Sequence, residues 1–95
     1  MFGNIKAINK NYAIVSLTTD AKALGDILNL HVIFEDKDKR ILGEVEDIDG
    51  SSVKINFLGE INNKNFIGGL IKKPSLDASV RIINQNELHV LVGGD

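Results

Sequence analysis

The sequence predicts an all-β domain that forms a small closed or nearly closed β-barrel of six or seven strands, with one short helix. Apolar and polar residues alternate along several short segments, which is typical of strands with one face on a core. One such pattern, over residues 42–57, also occurs forty positions earlier. Hairpins with one apolar face each can bury those faces together only by curling around one another, and a barrel also removes open sheet edges.

The clearest pattern is a β-hairpin over residues 40–61, with its turn near Asp49-Gly50. A two-residue loop at that dipeptide would set the apolar Val45 opposite the charged Lys54, on the same face of the pair. A three-residue loop, Ile48–Gly50, built as a type I turn with a left-handed glycine avoids this clash. The register that we predict therefore pairs Val45 with Val53, Gly43 with Ile55 and Ile41 with Phe57.

A shift of forty positions superimposes Phe2–Leu17 on Leu42–Phe57. The matched positions are Gly3 with Gly43, Ile5 with Val45, Ile8 with Ile48, Asn9 with Asp49, Val15 with Ile55 and Leu17 with Phe57. A weaker third copy runs over Val80–Val92, with Asn84-Gln85-Asn86 in the place of Asn9-Lys10-Asn11. Three similar hairpins therefore supply most strands of the predicted barrel.

The first hairpin consists of the strands Phe2–Ile8 and Asn11–Leu17. Strict alternation places five side chains on its inner face: Ile5, Ala7, Ala13, Val15 and Leu17. The same alternation points Ile8, Tyr12 and Ile14 outward. Apolar groups on the outside of a small barrel are either covered by a neighbouring segment or contact a partner. These three residues are therefore the candidate interface.

Between the hairpins, Thr18–Gly25 has a capping residue, helix formers and a final glycine, so we expect a short helix that covers one end of the barrel. The remaining elements are a strand at Leu30–Asp36, a charged turn up to Arg40, a polar turn at Glu60–Asn65, a crossing loop with extended pieces at Phe66–Ala78 and a strand at Ser79–Ile83. The β-prone Glu87–Val92 either closes the barrel or begins a linker. We assign residues 1–92 to the barrel and residues 93–95 to a terminal tail or the start of a linker.

Composition limits the function further. The 95 residues suffice for one domain, and the absence of cysteine excludes disulfide and thiolate chemistry. The apolar runs are far shorter than the roughly 20 residues of a membrane span, and Met1-Phe2-Gly3 leads directly into a strand pattern. A cytoplasmic protein without membrane contact is expected. Eleven Lys and Arg against thirteen Asp and Glu argue against DNA contact by this domain, because phosphate binding usually needs a basic surplus.

No motif in the chain has the spacing of a catalytic, cofactor or metal site. Gly68-Gly69 with Lys72 and Lys73 lacks the order of a phosphate loop, because Lys73 is followed by Pro74. The acidic stretch Glu44, Glu46, Asp47 and Asp49 lacks the first ligand and the distal glutamate of a calcium loop. A metal site is not indicated, because His31 and His89 have no second ligand at hairpin or helical spacing. A catalytic serine is not indicated either, because Ser16, Ser51 and Ser75 have no histidine and carboxylate nearby in sequence. We therefore expect a domain that is not an enzyme and binds no cofactor.

Two small basic clusters could contact nucleic acid, but neither has the surroundings of a binding surface. One cluster is Lys37, Lys39 and Arg40, and the other is Lys72 with Lys73. The acidic residues Asp36, Asp38 and Asp77 nearby reduce their positive charge. The aromatic residues do not interleave with these clusters on one strand face, as a stacking platform requires. They are Phe2, Tyr12, Phe34, Phe57 and Phe66. Solvated turns are the expected role of both clusters.

The strand and glycine pattern resembles the N-terminal barrel of HerA-type bacterial and archaeal ATPases, called the HAS barrel. The resemblance covers most of the chain and is carried by these segments: Phe2-Gly3 with Ile5 and Ala7, Tyr12–Val15, Leu42–Val45, and Phe66–Gly68 leading to Lys73-Pro74. It implies a six-stranded barrel that precedes a motor domain in a hexameric, DNA-translocating ring. The implied partners are neighbouring subunits, the motor domain and a NurA-like nuclease. The 95 residues contain no Walker A motif, so the resemblance does not assign ATP hydrolysis to them.

Two other classes of function remain open at the level of sequence. The first is a small barrel that binds nucleic acid, for which oligonucleotide retention would depend on salt. The second is a free-standing regulatory or ribosome-associated barrel. A GxxxxGK[ST] motif encoded shortly after Asp95 would separate the motor-ring class from both.

Overall fold

Seven antiparallel strands form one curled sheet in the computed structural model, which describes residues 2–18, 30–37, 39–62, 65–68 and 74–83. The strands are β1 (Gly3–Ile8), β2 (Tyr12–Leu17), β3 (His31–Asp36), β4 (Lys39–Asp49), β5 (Ser52–Asn62), β6 (Asn65–Gly68) and β7 (Ser79–Ile82). Their order across the sheet is β1-β2-β5-β4-β3-β7, and β6 pairs with the second half of β5. The predicted all-β fold class is confirmed.

The sheet curls until its two outer strands approach each other, but it does not close. The backbone N–H of Phe2, just before β1, donates to the carbonyl oxygen of Val80 in β7 at 3.4 Å. No ladder between β1 and β7 follows this contact in the described part of the chain. Within the described residues the barrel is therefore open, and the boundary between β1 and β7 is called the seam below.

The inside of the curl is filled with apolar side chains. Phe34 and Phe57 meet edge to face, with ring centroids 5.4 Å apart and planes at 79°. Among the described residues, no buried side chain is polar or charged. The buried members of this core are Phe2, Ala13, Val15, Val32, Phe34, Ile41, Val45, Val53, Ile55 and Val80.

A second, smaller cluster lies on the opposite face of the sheet. Ile33 and Leu42 are fully buried although their neighbours in sequence, such as Phe34, face the main core. Since successive side chains of a strand point to opposite faces, these two belong to the outer face. Ile61, Ile83 and the half-buried Leu58 complete the cluster. The alternating pattern did not predict a buried outer face at this end of the sheet.

The forty-residue repeat predicted from sequence is present in the pairing of the strands. Every pair between β1 and β2 has a counterpart forty positions later between β4 and β5. The corresponding pairs are Gly3–Leu17 and Gly43–Phe57, Asn4–Ser16 and Glu44–Asn56, Ile5–Val15 and Val45–Ile55, Ala7–Ile14 and Asp47–Lys54, and Ile8–Ala13 and Ile48–Val53. Both hairpins also carry a β-bulge at the same position, at Lys6 and at Glu46. The two hairpins are therefore two copies of one structure.

The predicted register of the central hairpin is wrong. Asp49 pairs with Ser52, so the loop is the two-residue Gly50-Ser51, with Gly50 at φ 65°. Val45 pairs with Ile55 and not with Val53. Val45 does not face Lys54, because the loop lies one residue later than Asp49-Gly50. A regular strand would then set Val45 opposite Asn56, and the extra residue Glu46 of the bulge moves it opposite Ile55. The one-residue shift that we assigned to the loop is thus made by the bulge within β4.

The same bulge in the first hairpin exchanges two of the predicted orientations. Because Lys6 is the extra residue, Ala7 pairs with the outward Ile14, and Ile8 pairs with the buried Ala13. Ile8 is partly buried against the main core, whereas Ala7 is exposed. The predictions that Ala7 faces inward and Ile8 outward are therefore wrong. The inward positions of Ile5, Ala13, Val15 and Leu17 are confirmed.

Several other predictions are answered in part. The strand at Ser79–Ile83 is confirmed as β7, and the charged turn before Arg40 is a tight hairpin in which Asp36 pairs with Lys39. The short helix at Thr18–Gly25 falls almost entirely outside the described residues. The segment Glu87–Val92, most of the third hairpin copy and the tail at residues 93–95 also lie outside them.

Candidate interaction surface

The predicted interface residues Tyr12 and Ile14 lie at the centre of the outer face of the four strands β1, β2, β5 and β4. Ile14 pairs with Lys54, and Tyr12 pairs with Asn56 on the same face. Both Tyr12 and Ile14 are half-buried. The structure separates Ile8 from them, because it packs against the main core.

Tyr12 contacts two other side chains, one at its hydroxyl group and one over its ring. The side-chain amide of Asn9 donates a hydrogen bond to the Tyr12 hydroxyl oxygen at 3.0 Å. The Lys54 ammonium lies over the ring, 4.6 Å from its centroid. A cation–π contact at an exposed site contributes about 0.5–1 kcal/mol. The ring is therefore fixed in place on the surface, which reduces the entropy that a partner would have to remove on binding.

The Lys54 ammonium also forms an ion pair with Glu46, with Nζ and Oε2 3.1 Å apart. The hydrogen bond from Lys54, with a smaller effect from Asn56, lowers the pKa of the Glu46 carboxyl, and the same bond raises the pKa of Lys54. Both side chains are more than a third exposed, so the pair contributes little to stability. Its main effect is to hold the ammonium over Tyr12.

The charges around this patch are of both signs, with exposed Lys6 and Lys10 on the first hairpin and acidic side chains on β4. Glu46 and Asp47 are exposed beside Lys54, and Asp49 is exposed at the end of β4. Further along the same face, Glu44 lies 3.8 Å from the imidazole of His31, measured between Oε2 and Nε2. An apolar and aromatic centre with charges of both signs around it suits a protein partner. We call Tyr12, Ile14, Lys54 and Glu46 the outer patch.

The other residues with chemical interest are dispersed. Within the described ranges, no group of three or more His, Asp and Glu side chains could hold a metal ion. Lys37 is exposed in the β3–β4 turn, while Lys39 and Arg40 are half-buried in β4. Residues 69–73 of the compared phosphate loop and His89 lie outside the described residues. Of the described candidates from sequence, the structure brings Tyr12 and Ile14 onto one face and His31 next to Glu44.

The aromatic residues do not form a stacking surface for bases. Phe2 and Phe34 are buried in the main core, and Phe57 packs against it. Tyr12 is on the outer face, and its ring carries the Lys54 ammonium. A stacking platform needs several exposed rings beside cationic groups. The described part of the sheet does not present one.

Sequence reasoning missed one further feature, a cavity in the seam of about 290 Å³. It lies between β1 and the turn before β7, and its lining is Gly3, Asn4, Ile5, Leu76, Asp77, Ala78 and Ser79. Among the described residues, Leu76 is the one large apolar side chain that is exposed, at 61%. The segment before β7 has no strand periodicity. This break in the pattern was the one feature of the sequence from which an opening beside β1 could have been inferred.

Comparison with known proteins gave no assignment. No protein-family model matches the chain, and no curated protein matches it. In the described residues, no helix has the length and apolarity needed to cross a bilayer.

Proposed function

We propose that this domain is a non-catalytic assembly and docking module that binds other proteins through the outer patch. In its finer form, the proposal is a cytoplasmic N-terminal barrel of a HerA-like hexameric ATPase, which contacts neighbouring subunits, the motor domain and a nuclease partner. The resemblance of the strand and glycine pattern motivates this finer form.

The observation that carries the proposal is the contrast between the inside and the outside of the sheet. Apolar side chains fill the inside, and no polar or charged side chain is buried there in the described residues. On the outside, a fixed aromatic ring and Ile14 lie at the centre of a face that the curl leaves uncovered by any described strand. Aromatic residues on a rigid scaffold are typical contributors to binding energy at protein interfaces.

The test uses the protein encoded by the whole gene, including any sequence that follows Asp95. In the double variant Tyr12→Thr and Ile14→Thr, both apolar groups are replaced by a polar, β-branched residue that keeps strand propensity. A matched control is Ser16→Thr, which changes another half-buried residue on the outer face of β2. Size-exclusion chromatography with light scattering measures the assembly, and circular dichroism confirms that each variant is folded.

We expect the unchanged protein and the Ser16 control to form the same ring, and the double variant to form smaller species. A folded double variant that assembles as the unchanged protein does would contradict the proposal. A GxxxxGK[ST] motif after Asp95 would support the motor-ring form, and a gene that ends at Asp95 would refute that form alone.

A further inference from the structure

The two copies of the hairpin are related by a local two-fold axis perpendicular to the sheet, which exchanges β1 with β4 and β2 with β5. The axis passes between Ile14 and Lys54, which pair with each other and are forty positions apart. The backbone hydrogen bonds show the same relation. Leu17 N–H donates to Ser51 O at 2.8 Å, and the equivalent bond on the other side of the axis measures 2.9 Å. Each outer-face position of the first hairpin therefore has an equivalent in the second.

These equivalent positions differ in charge. The exposed Lys6 is the bulge residue of the first hairpin, and its equivalent is the exposed Glu46. Lys10 adds a second exposed positive charge beside the first hairpin. Three further positions are neutral in the first hairpin and acidic in the second, namely Asn4 and Glu44, Ala7 and Asp47, and Asn9 and Asp49. The outer face therefore has a basic half on the first hairpin and an acidic half on the second.

A face with this distribution of charge is complementary to itself. A second copy can be placed on it by a two-fold rotation about an axis that runs parallel to the strands, between β2 and β5. The first hairpin of each copy then lies on the second hairpin of the other, so that the basic and acidic halves meet twice. Sheets that pack face to face keep their strand directions within about 30° of each other, which this rotation allows. A rotation about an axis across the strands would place like charges together.

We propose that the partner of the outer patch is a second copy of this chain, packed face to face about a two-fold axis parallel to β2 and β5. The inference rests on the function proposed above, because it names the occupant of the same surface. A partner must carry acidic groups opposite the first hairpin and basic groups opposite the second. The chain itself meets both requirements, and the contact is isologous, so that it closes at two copies.

The pairing of the strands shows which residues meet at the apolar centre. Tyr12 and Ile14 lie on β2, directly beside the rotation axis. Residues beside a two-fold axis lie close to their own copies. Tyr12 therefore lies near the partner's Tyr12, and Ile14 near the partner's Ile14. The contact covers both of these half-buried side chains.

The same rows across the sheet identify the charged contact. Ala7, Ile14, Lys54 and Asp47 form one row of paired residues, and the next row on the outer face ends at Asp49. Lys6 lies on the Asp49 side of the first row. Since rotation about an axis parallel to the strands keeps the rows at the same height, Lys6 comes between the partner's Asp47 and the partner's Asp49. The reciprocal contact forms on the other side of the axis.

The test exchanges the charges of this contact in the 95-residue chain. Sedimentation velocity at low salt measures the dimer dissociation constant of the unchanged chain, of Lys6→Glu, of Asp47→Lys and of the double variant. We expect each single variant to dimerise at least about ten-fold more weakly, because two attractive contacts become two repulsive ones. The double variant should dimerise as the unchanged chain does. It carries both changes within one chain, so its recovery can come only from contacts between copies.

Mixing experiments test the two-fold geometry. Lys6→Glu mixed with Asp47→Lys should form a heterodimer, because both contacts between the two chains are then attractive, and native mass spectrometry distinguishes it from the homodimers. The double variant should not pair with the unchanged chain. High salt should weaken every attractive combination. Lys37→Glu makes the same charge change at an exposed lysine in the β3–β4 turn and should leave dimerisation unchanged. Circular dichroism confirms that each variant is folded.

Three results would overturn the inference. The first is an unchanged chain that stays monomeric at millimolar concentration and low salt, which would leave the outer patch to a different protein. The second is a mixture of the single variants that associates no better than either one alone. The third is growth beyond the dimer with concentration, since an isologous contact closes at two copies. The function proposed above fails separately, when the double variant of Tyr12 and Ile14 leaves the assembly of the whole-gene protein unchanged.

Discussion

Gly3 and Gly43 have the same structural role in the two hairpins. A Cβ at Gly3 would lie 2.4 Å from the carbonyl oxygen of Ser16 and 2.7 Å from Cγ1 of Val15. At Gly43 it would lie 2.7 Å from Cγ2 of Ile55 and 3.0 Å from Cε2 of Phe34. Each glycine thus lets its strand approach the next one closely. The coincidence of Gly3 and Gly43 in the sequence repeat has this physical cause.

The first prediction concerns Gly43→Ala. We expect a loss of about 1–3 kcal/mol in the free energy of unfolding, because the new methyl group overpacks a filled core next to the Phe34 ring. Urea unfolding followed by circular dichroism measures the change. Gly50→Asn is the control, since nothing lies within 4 Å of a Cβ there and asparagine tolerates the positive φ. Equal stability of Gly43→Ala and the unchanged protein would contradict the packing argument.

The second prediction concerns the pH dependence of the turn before β7. The hydrogen bond from the Ser75 backbone N–H lowers the pKa of Asp36. The ionised carboxylate is therefore favoured by folding, and its stabilisation is present above the unfolded pKa and lost as the pH falls through the lower folded value. This window lies below about pH 5.

The measurement is urea unfolding of the unchanged protein and of Asp36→Asn at several pH values between 3 and 7. We expect the unchanged protein to be the more stable one at pH 7 and the difference to shrink as the pH falls. Asp49→Asn, an exposed carboxylate at the end of β4, is the control. A difference for Asp36→Asn that is constant over the whole range would show that the carboxylate charge has no role.

At the scale of the elements, the β-bulges at Lys6 and Glu46 decide which neighbouring residues face the core. The sequence showed the strands and their repeat, because alternation of apolar residues reports the local period. It did not show the bulges, since Lys6 and Glu46 are polar residues that also fit the solvent side of a regular strand. One extra residue reverses the alternation, and this accounts for both the wrong register of Val45 and the wrong orientation of Ile8.

The third prediction tests this reversal with a pair of neighbouring residues. Ile8→Ala should cost about 1–3 kcal/mol of unfolding free energy, because the side chain packs against the main core. Ala7→Ser should change stability by less than about 0.5 kcal/mol, since Ala7 is exposed. Chemical denaturation of the two variants gives the comparison. A larger loss of unfolding free energy for Ala7→Ser than for Ile8→Ala would contradict the bulge and indicate a regular strand.

At the scale of the whole molecule, the sequence correctly predicted a curled sheet, but it predicted neither the open seam nor the buried outer cluster. Strands with one apolar stripe do curl around a shared core. The sheet nevertheless remains open at the seam, because the turn at Ser75–Ala78 directs the chain away from β1. The buried outer cluster around Ile33 and Leu42 was also missed, since single-faced alternation gives no reason to bury the other face.

The candidate site was also predicted only in part. Tyr12 and Ile14 were predicted to face outward, and they do, because no bulge interrupts β2. The contacts that fix Tyr12 come from Asn9 and from Lys54 in another hairpin. A cross-strand contact depends on register, which alternation alone did not determine. The seam depends on where two distant segments diverge, and no local pattern reports that.

The central claim is that the chain contains two copies of one bulged hairpin. Its most direct test is the set of Hα–Hα nuclear Overhauser effects between the paired strands in solution, since the Cα atoms of non-hydrogen-bonded antiparallel pairs lie only about 4.5 Å apart. We predict strong effects for Ile5 with Val15 and for Val45 with Ile55, the two equivalent pairs. An effect between Val45 and Val53 in place of the second pair would contradict both the bulge and the repeat.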